Sequence, residues 1–213
     1  MRVVYKFRAI VLIIIGLFLF SLPKSSLAKN SIAKNTTIDK YIVLGDLISQ
    51  DYENSFYSSY VSLISNFLSS INSDLEYFNL SENNADINRL IDIINENSAI
   101  IKDSDLILIS VGFNDIIDLV KDENIVDSDS LDITNDIVLE NIIKKILNLK
   151  NLNVKIEEVA NNFNDKLNEA TSKLKEISPD VKIYVNTIYN PISQGENEYE
   201  EVDKIISCFN EKI

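Results

Sequence analysis

The chain has 213 residues, 46% of them apolar and 25% charged, a balance that is typical of one globular domain and excludes wholesale disorder. Its formal net charge of −13 argues against a protein that binds nucleic-acid phosphates or anionic membrane surfaces. There is no histidine and a single cysteine, Cys208, so the chain cannot form an internal disulfide.

The N-terminus has the three parts of a secretory signal peptide. Three basic residues lie within the first eight, residues 9–22 are uncharged and apolar, and a small-x-small cleavage site ends at Ala28. A retained membrane anchor over residues 9–22 is the alternative, but fourteen residues fall short of the ~20 that span a bilayer. We therefore expect residues 1–28 to be removed and the protein to be secreted, with no membrane contact afterwards. Cleavage leaves 33 acidic and 16 basic residues, a net charge of −17.

Beyond a polar leader at residues 29–39, strand and helix patterns alternate along the chain. The run 106–111, LILISV, is typical of a strand buried on both faces, and Asp86 is a predicted N-cap. Strands are predicted at 41–44, 75–80, 106–111 and 181–188, and helices at 55–70, 87–94, 133–149, 156–177 and from 199 onwards. This alternation predicts an α/β fold, a three-layer α/β/α sandwich around a parallel sheet, with sites at the carboxyl ends of the strands.

Recognisable residues follow each predicted strand. Gly45-Asp46-Leu47 follows the first strand and residues 79–84, NLSENN, end the second. The third strand is followed by Gly112-Phe113-Asn114-Asp115, and the fourth by Tyr189-Asn190-Pro191. Each motif alone is compatible with a simple turn, so the information lies in their order and placement.

In that order the chain resembles the GDSL, or SGNH, esterases and lipases. Members typically open with an apolar strand and Gly-Asp-Ser, and continue with Asn-Leu-Ala-x-x-Gly after the second strand. Gly-x-Asn-Asp follows the third strand, Tyr-Asn-Pro often lies near the fourth, and Asp-x-x-His ends the family pattern. The resemblance covers residues 40–213 and implies the flavodoxin-like sandwich of that family.

The family's catalytic roles carry over by position. They imply a nucleophile at residue 47, and oxyanion donors from the N–H groups of residues 47 and 84 and from the side chain of Asn114. Here position 47 is Leu47, which cannot form an acyl intermediate, and Asn84 stands in place of a glycine. Asp51 replaces another glycine and adds negative charge beside a site that must stabilise an oxyanion.

The sequence ends at Ile213, inside the predicted helix that would precede the family's final strand. We therefore expect that strand and the Asp-x-x-His block to be missing, and the segment 181–188 to be left as a sheet edge that a partner chain could cover. The resemblance then implies a truncated, inactive ester hydrolase. One alternative is a binding protein that holds a small ester or acylated glycan without chemistry. The other is an active esterase or lipase acting on an acylated glycan or lipid.

Several chemically suggestive residues have simpler structural interpretations. Ser49 is predicted to be a hydroxyl at the start of a helix and not a replacement nucleophile, because no base would activate it. Asp46 and Asp115 are predicted turn or cap residues, and Asn114 could persist as a turn former. Cys208 is predicted to be a buried, inert thiol.

No cofactor or metal site is expected from the sequence. The acidic residues within 122–132 lack the spacing and the glycine of a calcium loop, so this run is interpreted as a solvated loop. Four aromatic residues are assigned to packing faces instead of to a ligand site: Tyr57, Tyr60, Tyr77 and Phe78.

Overall fold

Four parallel strands form one sheet in the part of the chain that the structure describes. The structure is a computed structural model that describes residues 37–50, 59–121 and 136–213. The predicted signal peptide, Asp51, Tyr57 and the acidic run 122–132 lie outside these ranges. The strands are β1 (Lys40–Gly45), β2 (Glu76–Asn79), β3 (Leu106–Ser110) and β4 (Lys182–Val185), in the order β2-β1-β3-β4.

Helices connect and cover these strands. In chain order they are α1 (Tyr60–Ile71), α2 (Ile87–Glu96), α3 (Ser98–Ile101), α4 (Phe113–Lys121), α5 (Asp136–Leu147), α6 (Leu152–Ile177) and α7 (Tyr199–Asn210), with a short 3₁₀ turn at Leu47–Ser49. The side chain of Asp86 accepts a hydrogen bond from the N–H of Arg89 at 2.7 Å, so its predicted N-cap role on α2 is confirmed.

Alternate residues of the central strands enter two separate apolar clusters. Ile42 and Ile107 pack with α2 and α4–α7 on one face, whereas Tyr41 and Leu108 pack with α1 on the other. Because both faces are covered, β1 and β3 are apolar at almost every position, which explains why their runs could be predicted from the sequence. The predicted three-layer α/β/α sandwich with a parallel sheet is confirmed.

Strand β4 lies at one edge of this sheet and is shorter than predicted. Of the strand predicted over 181–188, the structure has Lys182–Val185; the N–H of Asn186 still donates to the Ile109 carbonyl of β3 at 2.8 Å, and the strand does not continue to Ile188. The backbone of Ile188 is instead bonded to a side chain of α7: Ile188 N–H donates to Asn210 Oδ1 at 2.8 Å, and Asn210 Nδ2 donates to the Ile188 carbonyl at 2.9 Å. Tyr184 of β4, in register with Leu108 on the face that α1 covers, is 41% exposed.

Two further expectations need correction. Helix α4 was not predicted, because the polar residues of its first turn were interpreted as a turn; its buried Ile116, Ile117 and Val120 anchor it against the core. Cys208 is exposed, not buried, since the inner face of α7 is formed by other residues, including Phe209. Among the residues described, none of the helices has the length and apolar character needed to cross a membrane.

Candidate functional site

The carboxyl edge of the sheet brings the first three motifs of the sequence together. The N–H of Asp46 donates to the Ser110 carbonyl at 3.0 Å, which ties the end of β1 to the end of β3. The N–H of Glu82 donates to the Gly45 carbonyl at 2.9 Å and ties in the segment after β2. Asn114 Nδ2 then reaches the Ala85 carbonyl at 3.0 Å. The third motif thus contacts the residue that directly follows the second.

Gly45 permits the tight approach at the end of β1. A Cβ atom at this position would lie 2.3 Å from Ser49 Oγ and 2.4 Å from the Ser110 carbonyl oxygen, both far inside van der Waals contact. The second of these neighbours is backbone and cannot rotate away. A glycine is therefore required here by packing between β1 and β3, independently of any catalytic role.

Asp46 shapes the turn that presents residue 47. Its carboxylate accepts a hydrogen bond from the N–H of Ile48 at 3.1 Å and caps the 3₁₀ turn, as predicted for a turn and cap residue. Burial raises the pKa of this carboxyl to about 6, while the hydrogen bond from Ile48 acts in the opposite direction. Leu47 begins the turn with a half-buried side chain that has no group able to donate or accept a proton.

Ser49 is a structural residue, as the sequence interpretation held. It is fully buried, and its hydroxyl donates to the Asp46 carbonyl at 3.0 Å. It also accepts a hydrogen bond from Ser81 Oγ at 3.0 Å, and its carbonyl accepts from Asn79 Nδ2 at 2.7 Å. These bonds fasten the 3₁₀ turn to the end of β2, so this hydroxyl is directed into the protein.

Asn84, which the resemblance aligns with the second-motif glycine, adopts the backbone conformation that glycine favours. Its φ is +58°, in the left-handed region that asparagine tolerates better than most residues. The surrounding segment is held by Arg89, whose guanidinium donates to Glu82 at 2.7 and 2.8 Å. The loop shape is therefore compatible with the family pattern, although the exposed Asn84 adds a side chain that glycine lacks.

Asn114, the implied oxyanion donor, is 2% exposed. One N–H of its amide donates to the Ala85 carbonyl, so the side chain links the start of α4 to the segment before α2. Gly112, two residues earlier, has a φ of +121°, and a Cβ there would lie 2.5 Å from Ile188 Cδ1. This glycine is required by its conformation and by close packing.

Asp115 is a capping residue, one of the two roles predicted for it, but it caps a helix in a distant segment and not its own turn. Its carboxylate oxygens accept the N–H of Ile87 at 3.2 and 3.3 Å, at the start of α2. The contact joins residues 28 apart and cannot be recognised from local spacing. Burial raises the pKa of Asp115 to about 7; the Ile87 hydrogen bond opposes this shift, and the charges of Asp86 and Asp118 add to it.

A polar contact that the sequence interpretation missed lies at the ends of β3 and β4. Tyr60, the first residue of α1, was assigned to packing and does pack against the sheet, but its hydroxyl also accepts a hydrogen bond from Asn186 Nδ2 at 2.9 Å. Burial raises the pKa of Tyr60 to about 12, hydrogen bonds from Ser110 and Asn186 oppose the shift, and the charge of Asp46 adds to it. The available signal was a polar residue within each of two largely apolar predicted strands, Ser110 in 106–111 and Asn186 in 181–188.

Within the described ranges no group of three or more His, Cys, Asp or Glu side chains has a geometry able to hold a metal ion. The arrangement that remains is a buried amide, two left-handed backbone positions and a capped turn, all at one edge of the sheet. The residue presented by that turn is a leucine. The described side chains at this edge therefore include hydrogen-bond donors but no nucleophile at the turn.

Two solved structures have a similar fold. The lipase Lip_vut3 from a goat rumen metagenome aligns with a TM-score of 0.56 and 16% identity, over 81% of this chain and 73% of that one. Phospholipase A1 from Streptomyces albidoflavus NA297 aligns with a TM-score of 0.51 and 16% identity, over 82% of this chain and 73% of that one. This chain has an ester-hydrolase-like fold. No family model matches the sequence, and no curated protein matches it.

Proposed function

We propose that this protein is a secreted relative of the GDSL, or SGNH, ester hydrolases that no longer catalyses ester hydrolysis. The observation that carries the proposal is Leu47 at the turn after β1, where the family places its serine. Support for the family comes from Gly45-Asp46 at this turn, the left-handed Asn84 after β2, and Gly112 and Asn114 after β3. The ester-hydrolase-like fold supports the same assignment.

The loss of activity follows from the chemistry of residue 47. A leucine side chain has no lone pair to attack an acyl carbonyl, so no neighbouring base could make it a nucleophile. The nearest hydroxyl along the chain, that of Ser49, is fully buried and donates to the Asp46 carbonyl. Donor groups without a nucleophile leave at most the small residual catalysis that remains when a catalytic serine is removed.

Binding without chemistry is the second candidate function, and one observation favours it. The framework around Asn114 is intact, so a small ester or acylated glycan could still be held by the polar groups at this edge. A partner chain that extends the sheet beside β4 belongs to the same candidate, because β4 lies at the edge and Tyr184 is 41% exposed there. An active esterase or lipase acting on an acylated glycan or lipid is the third candidate.

Hydrolysis of 4-nitrophenyl acetate and butyrate, together with labelling by a fluorophosphonate, tests the proposal. We expect no hydrolysis above the buffer rate and no label. Ser49→Ala and Asn114→Ala are the informative variants if hydrolysis appears. A rate that either substitution lowers by about tenfold or more would establish an active enzyme and refute the proposal. A rate that survives both unchanged would indicate a contaminating esterase.

A further inference from the structure

A cleft rich in lysine lies where α5 ends and α6 begins. Its volume is about 840 Å³, within the range of clefts that bind small molecules. Among the described residues, those that line this cleft include four lysines and no acidic residue. We call this surface the lysine cleft, and its lining residues are Asn141, Lys144, Lys145, Asn148, Leu149, Lys150, Asn151 and Lys155.

The charge of the lysine cleft is opposite to that of the rest of the protein. The whole chain has 33 acidic and 20 basic residues, yet residues 141–156 contain four lysines and no aspartate or glutamate. A uniformly acidic protein gains solubility from its charge and needs no such segment. The overall charge of the protein therefore does not explain why four lysines line one concave surface.

Ordinary helix electrostatics explain only half of these lysines. Lys144 and Lys145 lie in the last turn of α5, where cations interact favourably with the helix dipole, and Lys144 also pairs with Glu140. Lys155 has the opposite placement, within the first four residues of α6, where a cation is unfavourable and where the first turn contains no acidic residue. Lys150 lies between the two helices. The helix dipole therefore does not account for Lys150 or Lys155.

The backbone between the two helices gives the lysine cleft a defined shape. Asn148 Nδ2 donates to the Lys144 carbonyl at 2.7 Å, at the end of α5. Asn151 then reverses the chain with a φ of +55°, and its carbonyl accepts the N–H groups of Val154 and Lys155 at 3.0 and 3.2 Å. The three lining asparagines add amide donors beside the ammonium groups, a combination that suits phosphate or carboxylate oxygens.

We propose that the lysine cleft binds a small polyanion, a compound with two or more phosphate or carboxylate groups. A small ligand fits better than a nucleic acid or an anionic membrane, because the net charge of −13 repels an extended anionic surface, whereas a compact anion contacts only the cleft. Lys155 also lines a second pocket, with Asp86 and Asp115 at the carboxyl edge of the sheet. The ligand would therefore lie beside the candidate site, but the proposal does not depend on ester chemistry.

Isothermal titration of the full chain with pyrophosphate and, separately, with citrate tests this site at low ionic strength. We expect saturable binding of at least one anion, weakened by added salt. The double variant Lys150→Ala/Lys155→Ala should weaken that binding on the order of tenfold or more, because two charge-assisted contacts are lost. The matched control Lys166→Ala/Lys173→Ala, which changes the net charge equally elsewhere on α6, should bind within about twofold of the unmodified chain.

Each outcome decides the proposal. Selective loss in the cleft variant supports it, and the anion that binds identifies phosphate or carboxylate as the recognised group. Absence of saturable binding to both anions overturns it. Equal weakening in the two double variants also overturns it, because it would indicate a response to net charge and not to the cleft. Circular-dichroism melting of each variant verifies that the fold is retained, and Lys150→Glu, at an exposed position, repeats the test with a single change.

Discussion

Replacing Asp115 by asparagine should stabilise the protein at neutral and alkaline pH. The Asp115 carboxyl is 6% exposed and lies near Asp86 and Asp118, so its ionised form is disfavoured and its folded-state pKa is about 7. Asparagine has nearly the shape of the protonated acid, and its side-chain oxygen can still accept the N–H of Ile87. The substitution thus removes a buried charge and retains one hydrogen bond.

The size of the effect follows from the pKa of Asp115 in the two states. The pKa of Asp115 is 3.8 in the unfolded chain and about 7 in the folded protein. At about 1.4 kcal/mol per pKa unit, ionisation of this carboxyl lowers the free energy of unfolding by at most about 4 kcal/mol. Below the unfolded pKa the carboxyl is protonated in both states, so the folded protein has its full stability. As the pH rises towards 7 the carboxyl ionises more readily in the unfolded state, and the free energy of unfolding falls. We expect Asp115→Asn to gain about 1–3 kcal/mol at about pH 8, less than the limit because a carboxylate acceptor is lost.

Urea denaturation followed by circular dichroism at about pH 5 and about pH 8 measures this gain. At the lower pH the gain should fall to under about half, because the folded carboxyl is then already protonated. Asp74→Asn, which removes one negative charge from an exposed site, is the control and should change stability by less than about 0.5 kcal/mol at either pH. Destabilisation by Asp115→Asn at the higher pH, or an equal gain at both values, would refute the reasoning.

Three further substitutions test the framework of the candidate site. Gly112→Ala should destabilise the protein by about 2–4 kcal/mol in urea titrations. Gly195→Ala, also at positive φ but with open space around it, should cost only about 1 kcal/mol. Equal costs would contradict the argument that close packing requires glycine at position 112. Tyr60→Phe should lower stability by about 1–2 kcal/mol, because the Asn186 amide loses its acceptor. No change in stability would indicate that a water molecule accepts the Asn186 N–H in place of the tyrosine hydroxyl. Ser49→Ala should cost about 1–3 kcal/mol in the same titration, and a gain would show that its buried hydrogen bonds contribute nothing.

The layered fold could be predicted because both faces of its central strands are buried. A strand such as β3, with apolar side chains on both faces, produces an uninterrupted run that no loop imitates. Helix α2 could be predicted for a similar reason, since its cap and its apolar spacing agree. The end of β4 could not, because the strand-like pattern runs on to Ile188, whose backbone is bonded instead to the side chain of Asn210, more than twenty positions away.

The candidate site was predictable in its positions and not in its contacts. The order of the motifs placed Asp46 and Asn114 at the carboxyl edge of the sheet, where the structure has them. Local spacing does not tell that Asp115 caps α2, or that Tyr60 bonds to a residue after β4, since each contact joins distant segments. Helix α4 was missed for a related reason: polar residues at the first turn of a helix and in a loop have the same composition, and only burial distinguishes them.

The retained motif residues all have structural contacts, and this bears on what their retention means. Each of the five stabilises a turn, a close approach or a helix start, so its loss would destabilise the domain whether or not an ester is ever cleaved: Gly45, Asp46, Gly112, Asn114 and Asp115. Under the proposed relationship residue 47 differs, because a serine would act there through its hydroxyl, and a half-buried leucine fits the same turn. Selection for a stable fold alone would preserve the first set and would permit Leu47. These motif residues are therefore accounted for by the architecture of the domain, and they are not evidence of ester chemistry.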